Sequence, residues 1–209
     1  PDVNESGQHF TPVPARDGQP PAIRFGLSAV KNVGTQAIET IIKEREQKPY
    51  ENFIDFCRRV DHRHCKKNVV ESLVLSGAMD RLPGHRAQLV AMLDETMEAA
   101  QKWKQEREDL QLHLFGFEEE INWSIEYPDV LKFSEEEILE AEREYLGLYV
   151  SGHPTERFEA QLSRLGAVPL LELSAQPEGA QVTIGGMVRS LRRIVSRKGQ
   201  PMAFGELED

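Results

Sequence analysis

Leu27-Ser28-Ala29-Val30-Lys31-Asn32-Val33-Gly34-Thr35-Gln36-Ala37-Ile38-Glu39-Thr40-Ile41 is the stretch on which the reading of this 209-residue chain turns. Its pattern predicts an apolar helix, a tight turn at Lys31–Gly34 and a second helix from Thr35. The turn needs a positive φ, which glycine adopts freely and asparagine more readily than most residues, so Asn32 is suited to it. Val33 packs inward and anchors the turn. The amides near Gly34 and Thr35 then sit free at a helix N-terminus, where backbone N–H groups and the helix dipole suit a phosphate oxygen. Lys31 adds charge beside them. An ordinary helical hairpin with a glycine turn fits the same residues, so the motif alone leaves both readings open.

Working outward, this arrangement follows the helix-hairpin-helix pattern, and a more degenerate second copy lies downstream. Val69–Leu75 reads as an apolar helix, Ser76-Gly77-Ala78-Met79-Asp80 as its turn, and Gly84-His85-Arg86-Ala87 as the opening of the next helix. His85 and Arg86 are expected to face a nucleic-acid backbone there. Such contacts set position and affinity and carry no base code, so the binding predicted for Lys31–Thr35, Gly77 and Gly84–Arg86 is sequence-independent and salt-sensitive.

The net charge of −10 argues at first against a nucleic-acid partner. Its distribution argues the other way: residues 22–90 hold 12 Lys/Arg against 8 Asp/Glu, and the acid is concentrated downstream. No apolar run approaches the ~20 residues that span a bilayer, so no membrane partner is expected. The two cysteines, Cys57 and Cys65, make no disulfide framework and fit a reducing cytoplasm. His62 and His64 lie between them, but the spacing matches none of the usual zinc patterns, and core thiols are expected. The chain opens on Pro1 and reads as a fragment.

Residues 1–21, with five prolines, read as extended loop with room for a short strand. Pro49 ends the first helix; others are predicted over Phe53–Val60, Asn68–Leu75 and from His85 towards Arg107. Asp109–Phe133 has no clean period and reads as loop. Within it, Gln111-Leu112-His113-Leu114-Phe115 is an apolar cluster ahead of three glutamates, the form of a linear peptide for a groove on another protein. Packing on this chain's own helices is the alternative. Ser134 with Glu137 is a capping box opening a helix that stops before Gly147. Another short helix covers Arg157–Leu165. From Gln181 the period becomes two, with a turn at Lys198-Gly199-Gln200-Pro201. Alternation favours a core position for Phe204, with an exposed stacking platform as the alternative.

Taken together, these segments resemble the C-terminal half of the alpha-subunit family of bacterial replicative DNA polymerase III, in that family's order. Pro1–Ser6 resembles the end of its fingers. Ile23–Gly34 and Leu73–Asp80 resemble its two helix-hairpin-helix motifs, and Gln111–Phe115 its internal sliding-clamp peptide. Glu142–Pro154 is similar to its connector, and Val182–Asp209 to the first strands of its OB domain. The implied fold is mainly α with a small β portion: a helix-hairpin-helix domain, a helical connector and the start of an OB-type barrel. The implied organisation is 1–21 end of fingers, 22–92 tandem hairpins, 93–134 helix end and clamp peptide, 135–176 connector and 177–209 incomplete OB fold. The implied partners are duplex DNA, the sliding clamp (beta subunit), other replisome subunits, and single-stranded template through Arg189, Arg192, Arg193, Arg197 and Lys198. Family polymerase chemistry uses magnesium on palm carboxylates, expected upstream of residue 1, so no catalytic residue and no cofactor or metal site is assigned here and no activity is expected of these residues alone. The contrasting reading is a structural protein-interaction adaptor without DNA binding.

Overall fold

The computed structural model describes residues 1–15, 20–112, 126–197 and 199–209, without the side chains of 108–112. Close packing divides the chain into two units, residues 1–149 and 150–209, the division falling inside the stretch 135–176 expected to be a connector.

In the first unit, β1 (Thr11–Val13) pairs antiparallel with β2 (Ala22–Arg24). The next residues hydrogen-bond back to the same arm, Leu27 N–H to Gly7 O at 2.9 Å and Ser28 N–H to Gln8 O at 3.1 Å. That pairing holds the approach to the first turn extended. The apolar helix expected before Lys31 is therefore only a single 3-10 turn, Leu27–Ala29. Helix α1 (Thr35–Gln47) buries Ala37, Ile38 and Ile41 at helical spacing and stops at an extended Lys48, as the residue before a proline must.

Helix α2 (Phe53–Arg59) is capped by Asn52, whose side chain accepts the Asp55 amide at 2.8 Å. Arg59 ties its far end to the carbonyls of Glu44 and Lys48. Helix α3 (Lys67–Leu75) ends in a Schellman motif, with Ala78 N–H on Leu73 O at 2.9 Å and Gly77 N–H on Val74 O at 3.0 Å. Phe53, Phe56, Leu73, Met79 and Leu89 are fully buried in one core, as are the thiols of Cys57 and Cys65, where burial pushes the Cys65 thiol up to about 12.

The helix predicted from His85 to Arg107 is two helices, α4 (Arg86–Ala91) and α5 (Leu93–Leu112). The break at Met92, where its N–H is shared between Gln88 O and Val90 O, lets adjacent Met92 and Leu93 both enter the core. Helix α5 also runs into the stretch read as loop, through Leu112, in a sequence of Gln, Lys, Glu, Arg and Leu that favours helix. Helix α6 (Glu135–Leu146) has the predicted capping box at Ser134 and Glu137, and ends at Gly147 in the left-handed region. It packs on α3.

In the second unit, a 3-10 turn (Glu156–Phe158) leads into α7 (Glu159–Arg164), and Leu170–Ala175 forms a further 3-10 turn. Strand β3 (Met187–Val195) pairs antiparallel with β4 (Pro201–Glu208) around a turn closed by Ser196 N–H on Gln200 O at 2.8 Å. Alternation favours a core position for Phe204, but it is 58% exposed. The described strands of this unit make one two-stranded hairpin, with an isolated parallel bridge between Ala167 and Thr183 before it.

Candidate nucleic-acid interface

The first turn is built as its residue types require. Asn32 has φ 68°, the positive-φ non-glycine among the described residues. Its side chain is held by Ser72 of α3, Nδ2 donating to Oγ at 3.2 Å. Val33 is buried, and its N–H closes the turn on Val30 O at 3.2 Å. Gly34 is extended rather than left-handed, with φ −82° and ψ 162°, and no side chain caps α1. A Cβ at Gly34 would meet nothing within 4 Å. Gly34, Thr35 and Gln36 are all exposed, so the first-turn amides of a 13-residue helix face open space. That is a ready anion site by dipole and geometry.

Lys31 stands beside it but is engaged. Its Nζ lies 3.0 Å from Glu144 Oε1 and 5.8 Å from the Tyr145 ring centre, and its N–H donates to Tyr145 O at 2.8 Å. Both side chains of the pair are about half exposed (52% and 57%), so the bridge is worth at most about 1 kcal/mol and can be exchanged for another anion.

The second turn differs from expectation. Arg86 is not offered to a phosphate: it is buried, with Nε on Asp80 Oδ1 at 2.8 Å, Nη2 on Asp80 Oδ2 at 2.6 Å, Nη1 on Leu75 O at 3.2 Å and Nη2 on Glu142 Oε1 at 3.2 Å. Burial opposes its charge, yet the two carboxylates outweigh that and hold its pKa above the ordinary value. Turning it outward would break its bonds to both carboxylates, Glu142 among them being only 1% exposed. His85 is also spent, its Nδ1 accepting the Gln88 amide while Gln88 Oε1 accepts the His85 amide. Gly77 (φ 79°) and Gly84 (φ 93°) shape this turn. Against Gly84 lies the Tyr127 ring, and Gln88 Nε2 reaches Pro128 O at 3.0 Å, so the chain packs back here.

Sequence reasoning missed Ser72, Glu142, Glu144 and Tyr145. One signal was available: Glu142 follows Leu139 by three residues and precedes Leu146 by four, which puts a carboxylate on the apolar stripe of α6.

Of the peptide Gln111–Phe115, the backbone of Gln111 and Leu112 completes α5, while His113, Leu114 and Phe115 lie outside the described residues. Arg192, Arg193 and Arg197 are exposed, and Lys198 lies outside the described residues. Arg192 pairs with Phe204 and Arg193 with Ala203, on opposite faces of the hairpin, so these two do not converge. Arg189 is bound to Glu208. Among the described residues no three His, Cys, Asp or Glu gather as a metal site, and no helix is long and apolar enough to cross a membrane.

Residues 1–89 match the family described as helix-hairpin-helix motif. The whole chain is similar to proteins named DNA polymerase III subunit alpha: 34% identical over 212 residues to that of Pasteurella multocida, 34% over 209 residues to that of Bacillus subtilis, and 35% over 220 residues to that of Mycobacterium tuberculosis. All of this chain is covered in each case, and the chain spans 18% of each relative's length.

Proposed function

Because this chain belongs, over its full length, with a segment of the bacterial DNA polymerase III alpha subunits, we propose that it grips duplex DNA by the phosphate backbone and tethers its polymerase to a sliding clamp. One observation carries the DNA part: the uncapped, exposed start of α1 at Gly34–Gln36, presented by a left-handed Asn32 with Lys31 alongside. Amides at a helix N-terminus bind phosphate without reading bases, so recognition is indifferent to sequence. The first hairpin supplies this contact; the second, its donors engaged internally, braces it.

The clamp tether is assigned to Gln111–Phe115, where two leucines and a phenylalanine would supply the anchors and Gln111 the register. A subunit gripping its duplex and held on a clamp rebinds intramolecularly after each slip, which is the physical basis of processivity. The polymerase chemistry, its magnesium, the other replisome subunits and the single-strand contact of a complete OB domain belong to the longer protein under the same proposal, and no cofactor is assigned here.

The test is a salt titration of duplex binding by the 209-residue chain, followed by fluorescence anisotropy on two unrelated sequences. Equal affinity for both is expected, with log K falling by ~0.9 per phosphate neutralised for each unit of log salt. Lys31→Ala should make that slope shallower by about one contact. Absence of salt-dependent binding favours the second reading, a protein-interaction adaptor, for which the run of glutamates opening α6 and the pairing of Lys31 with Glu144 are the supporting observations.

A further inference from the structure

We propose that Glu142 is a positioning residue for the phosphate site of the first hairpin, acting through α6 as a strut between the two turns. The proposal rests on the DNA-binding reading above. Glu142 lies mid-helix, 1% exposed, and meets Arg86 at the start of α4; Arg86 in turn grips Asp80 in the second turn. Three residues further along α6, about one helical turn, Tyr145 accepts the Lys31 N–H in the first turn, and Glu144 holds the Lys31 ammonium. The two turns are therefore fixed to a single rigid element at points one turn apart.

A buried ion pair is a poor way to gain stability, because desolvation offsets most of the attraction, but it tolerates few geometries. Here the geometry is over-determined. Arg86 places its donors on Asp80, Leu75 O and Glu142, so α6 cannot slide or rotate without breaking the buried Arg86–Glu142 bond. Since α6 also supplies the carbonyl under Lys31, any slip at Glu142 shifts Lys31 relative to the open amides of Gly34–Gln36. Glu142 touches no ligand in this scheme; it sets where the ligand groups stand.

The experiment compares Glu142→Gln with the unaltered 209-residue chain in two measurements. In duplex titrations, Glu142→Gln should remain folded by circular dichroism yet bind with a slope shallower by about one. That is the loss of one phosphate contact, which weakens binding about tenfold at 50 mM salt. In amide hydrogen exchange, the Lys31 N–H should exchange faster, while the Val60 N–H, bonded to Phe56 O in α2, keeps its rate. Arg86→Lys, which keeps the charge but loses the fork, should reproduce both effects if the glutamine variant does not fold. A folded variant with unchanged slope and unchanged Lys31 exchange overturns the proposal while leaving the DNA-binding reading intact. Failure of the unaltered chain to bind duplex in a salt-dependent way overturns both.

Discussion

Gly77 and Gly147 form a matched pair that tests whether Arg86 is pinned. Both follow a helix in the left-handed region, at φ 79° and 78°. An alanine at either pays the left-handed cost of an L-residue, about 1–2 kcal/mol. Their surroundings differ. A Cβ at Gly147 meets nothing within 4 Å, whereas one at Gly77 collides with Arg86 Nη2 and comes to 2.9 Å from Asp80 Oδ2 and 3.0 Å from Arg86 Cζ. A free surface arginine would swing aside at almost no cost. This one must give up a bond to a carboxylate, at roughly 1.5–3 kcal/mol for a hydrogen bond to a charged group. Gly77→Ala should therefore cost roughly 2.5–5 kcal/mol against about 1–2 for Gly147→Ala. Urea unfolding followed by far-UV circular dichroism reads the difference, from midpoints at equal m. Equal losses in the two variants, within about 0.5 kcal/mol, would refute the pinned cluster, since that is the scatter of unrelated surface substitutions.

Other expectations are independent of that cluster. Replacing Leu114 and Phe115 together with alanine should weaken capture on an immobilised sliding clamp at least 30-fold, as expected for anchors worth about 2 kcal/mol or more; unchanged capture means the peptide packs on its own chain. Asp61, hydrogen-bonded first by the Arg63 side chain and then by its amide, has its carboxyl held down at about 2. Its folded value is depressed, so its stabilising effect is full above the ordinary aspartate range near ~4 and is lost as pH falls through about 2. Asp61 is half-buried but its partner Arg63 is largely exposed and the pair is screened, so Asp61→Asn should flatten the acid limb of the pH–stability curve only slightly; an unaltered limb would show the bond does not persist in solution. Cys57 and Cys65 are buried, with their thiols pushed well up, so a thiol reagent at pH 8 should label them only after urea unfolding.

What the sequence determined by itself was local. Asn32 as the left-handed residue, the Ser134–Glu137 capping box, the stop at Gly147 and the turn before β4 each depend on neighbours within about four residues, so residue type and spacing suffice to read them. The basic first stretch and the family-ordered segments were legible for the same reason. The tertiary structure decided everything that depended on a distant partner. Arg86 read as a phosphate ligand because it follows a glycine turn, but its counter-ion Glu142 is 56 residues away. Lys31 read as free because Glu144, 113 residues on, cannot be seen from the turn. The break at Met92 followed from the core's demand for two adjacent side chains, and Phe204 lies exposed in a sheet that has only two described strands. A cation's role depends on which carboxylate reaches it, and for Lys31 and Arg86 only the folding of α6 across α3 makes that choice.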